Sequence, residues 1–368
     1  MSRPLPSNMR LLIAGSLGFI LCGAINPLYG LAIPIYRAEW GAGWGGTLLA
    51  FHGAGALLAV AAGVFGLPHL TMRLSLGLLA AGSVITALGT GWPVVTLGAF
   101  VIGIGFGLTS AVVNRRFLSE FGERGPGMVG LVNSVFGVGA IAAPLILVGL
   151  GERLLPVYLG LAVMAAILIP VVQPSGRQAR AQGLPDLRQK RLAILIFIHL
   201  AVITEVALFG LGPTSLLDMG LDSGAVAGLT SAFFGAFLAA RLSLFWVTRR
   251  IRADQLFALG LGGAAVAMGI AAAGAPATGF ILAGAAVGLQ FPTFYVWASH
   301  ILGPDPRMGS AVLTASISGA ITGPALLAPV LAATGTGALF AILCGLMAAT
   351  LAGFLLMSPW ARRHALPA

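Results

Sequence analysis

Long apolar stretches, cut by short polar or turn-forming segments, run along the whole chain. A membrane-crossing helix needs about 20 mostly apolar residues. Reading the runs between charges and turn signals predicts twelve such helices, at 10–36, 43–67, 72–90, 92–114, 127–150, 154–172, 191–217, 223–248, 253–273, 276–302, 307–332 and 335–358. The polar start before the first run also fits a signal peptide, but no small-residue cleavage site precedes a soluble stretch, so a first span is expected. Most connections are very short and leave no room for a soluble domain. The exception is 173–190, which is polar and basic and holds Pro174, Gly176, Gly183 and Pro185. It is expected to be a cytoplasmic linker between a six-helix half at 1–172 and another at 191–368.

The halves echo each other. At an offset of 180 residues, Tyr29-Gly30-Leu31 meets Phe209-Gly210-Leu211, Gly55-Ala56 meets Gly235-Ala236, Gly139-Ala140-Ile141 meets Gly319-Ala320-Ile321, and Pro144 meets Pro324. Near the fourth and tenth spans the offset becomes 181, where Gly103 meets Gly284 and Gly107-Leu108 meets Gly288-Leu289. An offset this constant across four pairs of spans predicts an all-α membrane protein of twelve transmembrane helices in two six-helix repeats. Parallel repeats of this kind place substrate near the midplane, with the halves rocking around it.

Composition agrees with lipid as the main solvent. The chain is 58% hydrophobic and 8% charged, with a mean hydropathy of +1.00; a soluble domain carries roughly 25% charged residues. The 53 glycines sit inside apolar runs, where small residues let helices approach closely. The net charge of +10 would suit nucleic acid, but its placement follows membrane topology instead. With the N-terminus inside, 17 of the 20 Lys and Arg fall in inside segments, Arg37 and Arg153 fall outside, and Arg241 lies within a span. That asymmetry puts both termini in the cytoplasm. Nineteen Arg against one Lys, with compact loops, suggest a bacterial inner membrane. The two cysteines lie in separate apolar runs and the five histidines are scattered, so neither a disulfide, nor a metal, nor any cofactor is expected.

Nine of the ten acidic residues fall at span ends or in loops; Glu205 alone lies mid-span. An ionisable group there costs at least ~2.5 kcal/mol on insertion scales, which marks it as a proton carrier or substrate ligand, the alternative being a structural pair. Arg241 is the basic residue well inside a span; it snorkels to the interface, binds an anionic group or is the charge partner of Glu205. Asn26 and Tyr29 share a face of the first span, and Gln290, Phe294 and Trp297 share one of the tenth. Polar groups beside flat rings suit a sugar or an amphipathic molecule, and packing of the rings against lipid or each other is the alternative for each. Asn114, Asn133, His52 and His199 are weaker candidates, and His300 near a span end reads as structural.

The chain resembles the major facilitator superfamily over nearly its whole length, and within it the fucose-permease-like branch of sugar:proton symporters. The resemblance is carried by Glu205, Leu221-Asp222, Ala227-Gly228 and Phe233 to Arg241 in the seventh and eighth spans. It continues in Gly288-Leu289-Gln290-Phe291-Pro292-Thr293 in the tenth, Gly103-x-Gly105-x-Gly107 with Asn114 in the fourth, and Asn133 before Phe136-Gly137 in the fifth. The family's usual acid after the second span is missing from Gly66 to Arg73, and its acids within the first and fourth spans correspond to Gly30 and Ser110. The resemblance implies a cavity lined by the first, fourth, seventh and tenth spans, with Asn26, Tyr29, Asn114, Asn133, Gln290, Phe294 and Trp297 contacting substrate and Glu205 coupling the proton. The expected function is proton-coupled transport of a small organic solute by a monomer whose other partners are membrane lipids. Proton-antiport efflux of an amphipathic compound or organic anion is the rival. A membrane-embedded receptor or enzyme is a further alternative, but an enzyme needs clustered catalytic groups that the sequence does not offer.

Overall fold

Helix starts and stops are written locally. Thr71 accepts a hydrogen bond from the Leu74 amide, and Asp222 accepts one from the Ala225 amide at 2.9 Å, satisfying donors that a helix N-terminus leaves free. Gly220 and Gly274, at φ +93° and +103°, end two helices in the left-handed conformation that glycine adopts without strain. Proline at the start of the run at Trp92–Glu120 needs no amide hydrogen there. The computed structural model describes residues 7–41, 45–64, 70–121, 124–172, 193–302 and 308–363. Among these residues the chain forms twelve α-helices: α1 Ser7–Trp40, α2 Gly45–Val64, α3 Met72–Ala87, α4 Trp92–Glu120, α5 Gly125–Gly149, α6 Leu154–Leu168, α7 Leu195–Asp218, α8 Ser223–Val247, α9 Ala253–Ala272, α10 Pro276–Leu302, α11 Met308–Thr334 and α12 Leu339–Arg363.

Ten of these helices are long and apolar enough to cross a membrane. The other two carry shorter apolar stretches, Gly46–Ala62 and Met72–Ala87. The third span, expected over 72–90, ends as a helix at Ala87, because the chain turns through Gly89 and Gly91 before α4. The sixth narrows to a short 3-10 turn at Ile169–Val171, where Pro170 cannot donate to an α-helical ladder. The linker expected at 173–190 lies outside the described residues, as does the loop at 65–69.

The chain divides into two compact units, Met1–Gln182 and Gly183–Ala368. In the first, α1 packs on α5, α2 and α3 on α4, and α3 on α6. In the second, α7 packs on α11, α8 and α9 on α10, and α9 on α12. Each pairing in one unit thus has its counterpart six helices on in the other. Glycines set the closest approaches. A Cβ on Gly103 would strike the His52 backbone and one on Gly139 the Ile20 carbonyl; in the second unit, Gly284 meets the Phe233 backbone and Gly319 the His199 carbonyl in the same way. The echo is not uniform: Gly55 is pressed on the Phe100 carbonyl, whereas a Cβ on its counterpart Gly235 would meet nothing within 4 Å among the described residues.

Both units carry large apolar side chains on their outsides, including Leu58, Ile167, Phe245, Val266, Leu326 and Leu356. An apolar exterior of this extent needs lipid rather than water against it. Tyr36, Trp40 and Trp92 gather at one end of the first unit, with the Trp92 indole donating to the Gly41 carbonyl at 3.1 Å. That arrangement fits rings at a membrane interface, with apolar bodies and polar tips.

Candidate functional site

In the second unit, α7 and α8 bring together the acid and the base that the sequence places well inside spans. Glu205 is near the middle of α7 and Arg241 is on the last third of α8. The guanidinium Nη2 lies 3.9 Å from Glu205 Oε1, within ion-pair distance but too long for a hydrogen bond. Their side chains are 22% and 17% exposed. Arg241 also stacks on Phe237, one helical turn back, with its guanidinium carbon 4.1 Å from the ring centroid. Its Nε is buried and has no hydrogen-bond partner among the described residues. Of the roles open to Arg241 from sequence, the structure places it beside Glu205 and holds it there by a ring as well as by charge.

In the first unit, the Tyr29 hydroxyl and His52 Nδ1 are 3.0 Å apart, joining α1 to α2, and both side chains are buried. The His52 ring also meets Phe106 edge-on, and Phe106 in turn meets Phe136. Asn26 is buried on α1, one turn before Tyr29. Asn133 donates to Asn114 at 3.0 Å and to the Val129 carbonyl at 2.8 Å, linking α5 to α4. Sequence spacing separates these asparagines by 19 positions; only the packing of α5 on α4 makes them a pair. The sequence reading passed over Phe106 and Phe136 as contributors to this group, because an apolar residue in an apolar helix carries no signal of its own.

The face of α10 that bears Gln290, Phe294 and Trp297 is turned into packing. The Gln290 amide nitrogen donates to the Gly260 carbonyl on α9 at 3.2 Å and meets Met347 on α12. Phe294 meets Phe257 with the rings tilted, and Trp297 meets Phe294 and Phe354. The three side chains are 1%, 0% and 4% exposed. The i, i+4, i+7 spacing therefore marks one helix face, as expected, but that face is covered by α9 and α12. The Gln290 carbonyl oxygen and the Trp297 indole nitrogen are buried without hydrogen-bond partners among the described residues.

No family model matches the sequence, and no curated protein matches it. Solved structures do match in three dimensions. The chain resembles a mutant form of the nucleoside transporter NupG with a TM-score of 0.76 at 16% identity, covering 96% of this chain and 100% of that one. It resembles a D-xylose-proton symporter with a TM-score of 0.76 at 13% identity, covering 96% and 97%. A POT family transporter in complex with a thioalcohol-conjugated peptide matches with a TM-score of 0.73 at 14% identity, covering 95% and 96%. At such identities the likeness is one of fold alone, shared with a nucleoside transporter, a xylose-proton symporter and a POT family transporter. Together with ten helices long and apolar enough to cross a membrane, this makes the protein a multi-pass, all-helical membrane protein.

Proposed function

We propose that the protein is a secondary active transporter, not an enzyme, that moves a small organic solute across a bacterial inner membrane by proton-coupled alternating access. The observation that carries this reading is the Glu205–Arg241 pair, held 3.9 Å apart between two apolar helices. An acid in such a place is retained at a cost of at least ~2.5 kcal/mol. A change in access changes the water around Glu205, and with it the proton affinity, which is the difference that coupling requires. The solved structures of similar fold, two of which are named for nucleoside and xylose-proton transport, support the class. The substrate proposed is a sugar or similar polar compound, following the fucose-permease-like motifs.

In the first unit, Asn26, Tyr29, Asn114 and Asn133 are the proposed solute contacts. In the second, Glu205 carries the proton and Arg241 is its charge partner. Gln290, Phe294 and Trp297 already have packing partners, and their proposed role is to hold α10 to α9 and α12. We further propose that the two units are six-helix repeats, that the segment 173–190 links them in the cytoplasm with both termini on that side, and that the transporter works as a monomer in lipid.

One observation favours the rival substrate class. The buried Nε of Arg241, which has no hydrogen-bond partner among the described residues, offers a donor to an organic anion, which would suit proton antiport of such a compound. A ligand-stabilisation screen of the purified protein over sugars, organic acids and amphipathic drugs separates the two. The leading compound is then followed in proteoliposomes under a pH gradient. Glu205→Gln keeps the shape and removes the charge; it should abolish gradient-driven accumulation yet keep exchange at equal pH. Normal accumulation by that variant would make Glu205 structural.

A further inference from the structure

His199 lies on the second turn of α7, half-buried, against α11. Its Nδ1 is 2.8 Å from Ser318 Oγ and its Nε2 is 3.2 Å from Thr322 Oγ1. Both hydroxyls have a taker for their hydrogen within their own helix. Ser318 donates to the Ala315 carbonyl at 2.7 Å, and Thr322 donates to the Ser318 carbonyl at 3.0 Å. A hydroxyl has one hydrogen and two lone pairs. With the hydrogens given to the backbone, two oxygens present lone pairs to two ring nitrogens. A neutral imidazole has one N–H and satisfies one of them; an imidazolium has two and satisfies both. The bonds to backbone carbonyls also polarise each hydroxyl and strengthen it as an acceptor.

We propose that His199 is a proton-binding site distinct from Glu205, and that its protonated ring ties α7 to α11 by donating to Ser318 and Thr322 together. The site sits at a close crossing: a Cβ on Gly319 would strike the His199 carbonyl, and one on Gly323 would press on Ile203. Here the backbones hold the ring and hydroxyls in register, and the half-buried ring keeps a route for the proton. The inference goes beyond the transport reading and does not need it. The ionisable groups of the elements packed on α7 leave the site without a competing carboxylate. α11 carries none; α12 carries Cys344, Arg362 and Arg363; α10 carries Tyr295 and His300; and α8 carries Arg241. On α7 itself are Asp218, at its far end, and Glu205. Glu205 is six residues on, about 9 Å along the axis and about 120° around it, and its carboxylate is on Arg241.

The test is nitrogen-15 NMR of the full-length protein in lipid, labelled at histidine, with His199→Gln to assign the signal. The spectra are taken across about pH 5–8, the range in which an imidazole changes charge. Wild-type His199 should keep two ring N–H groups to a higher pH than it does in the Ser318→Ala, Thr322→Val double variant. A single ring N–H on His199 in the wild type throughout that range would overturn the proposal, since one hydroxyl would then be donating to the ring. So would a double variant that loses its second ring N–H at the same pH as the wild type. If the double variant does not fold, the wild-type spectrum and the separate Ser318→Ala and Thr322→Val variants still decide it. The measurement reads the ring rather than transport, so its failure leaves the Glu205 reading standing, and failure of Glu205→Gln leaves this site standing.

Discussion

A single apolar helix turn can hold a charge only if something nearby answers it, and Arg241 is answered twice, by Glu205 and by the face of Phe237. Lysine would keep the charge but lose the flat group that stacks on the ring. Arg241→Lys is therefore expected to fold and insert, yet to cut gradient-driven transport about tenfold or more, as for loss of about 1.4 kcal/mol or more of a specific interaction; initial uptake rates in proteoliposomes check this. Tyr29→Phe removes only the bond to His52. Interhelical hydrogen bonds within membranes average about 0.6 kcal/mol, so a fall in Tm of about 1–3 °C is expected in a thermal unfolding assay. Glu205 and Arg241 could be singled out from sequence because charges are so rare in these runs. Their 3.9 Å separation could not, since they stand 36 positions apart in the sequence. Nor could the partner of His199, which depends on α11 being the helix packed against α7.

At the scale of the element, glycine decides which helices can touch. Gly284 in α10 faces the Phe233 backbone on α8, and backbone cannot move aside as a flexible side chain can. Gly284→Val should fail to give folded protein or lower its Tm by more than 10 °C, on the order of 3 kcal/mol or more for overpacking. Gly235→Ala, where nothing lies within 4 Å, should be neutral or stabilising, because alanine gains about 1 kcal/mol over glycine in a helix. Size-exclusion profiles and thermal melts of the two variants distinguish these outcomes. The offsets of 180 and 181 residues marked both glycines as repeat positions. It could not tell which of them is in contact, because a sequence match preserves a residue and not its neighbour. The same limit holds for the α10 face: period 3.6 identifies Gln290, Phe294 and Trp297 as neighbours, but not the α9 and α12 groups that pack on them.

For the whole molecule, the strongest constraint is the distribution of charge along the chain. Seventeen of 20 basic residues fall on one proposed side. A cysteine introduced at Ala179 should be labelled by an impermeant reagent only after the membrane is opened; labelling from outside intact cells would reverse or break the twelve-span topology. The apolar exteriors of both units add an independent expectation, that the protein is soluble only in detergent or lipid and aggregates when these are removed.

The sequence by itself determined that the chain is helical, that it lives in lipid, that it carries about twelve apolar elements, and that one acid stands within them. These properties are local or summed: hydropathy, charge placement and periodicity need no knowledge of what packs on what. Tertiary structure alone decided which helices touch, that Arg241 answers Glu205, that Tyr29 holds His52, that His199 faces two hydroxyls, and that the polar and aromatic face of α10 is closed by its neighbours. In an all-apolar chain every helix face is chemically able to meet lipid or protein, so hydrophobicity does not distinguish inside from outside. Shape complementarity and the few polar contacts make that choice, and both depend on residues far apart in the chain.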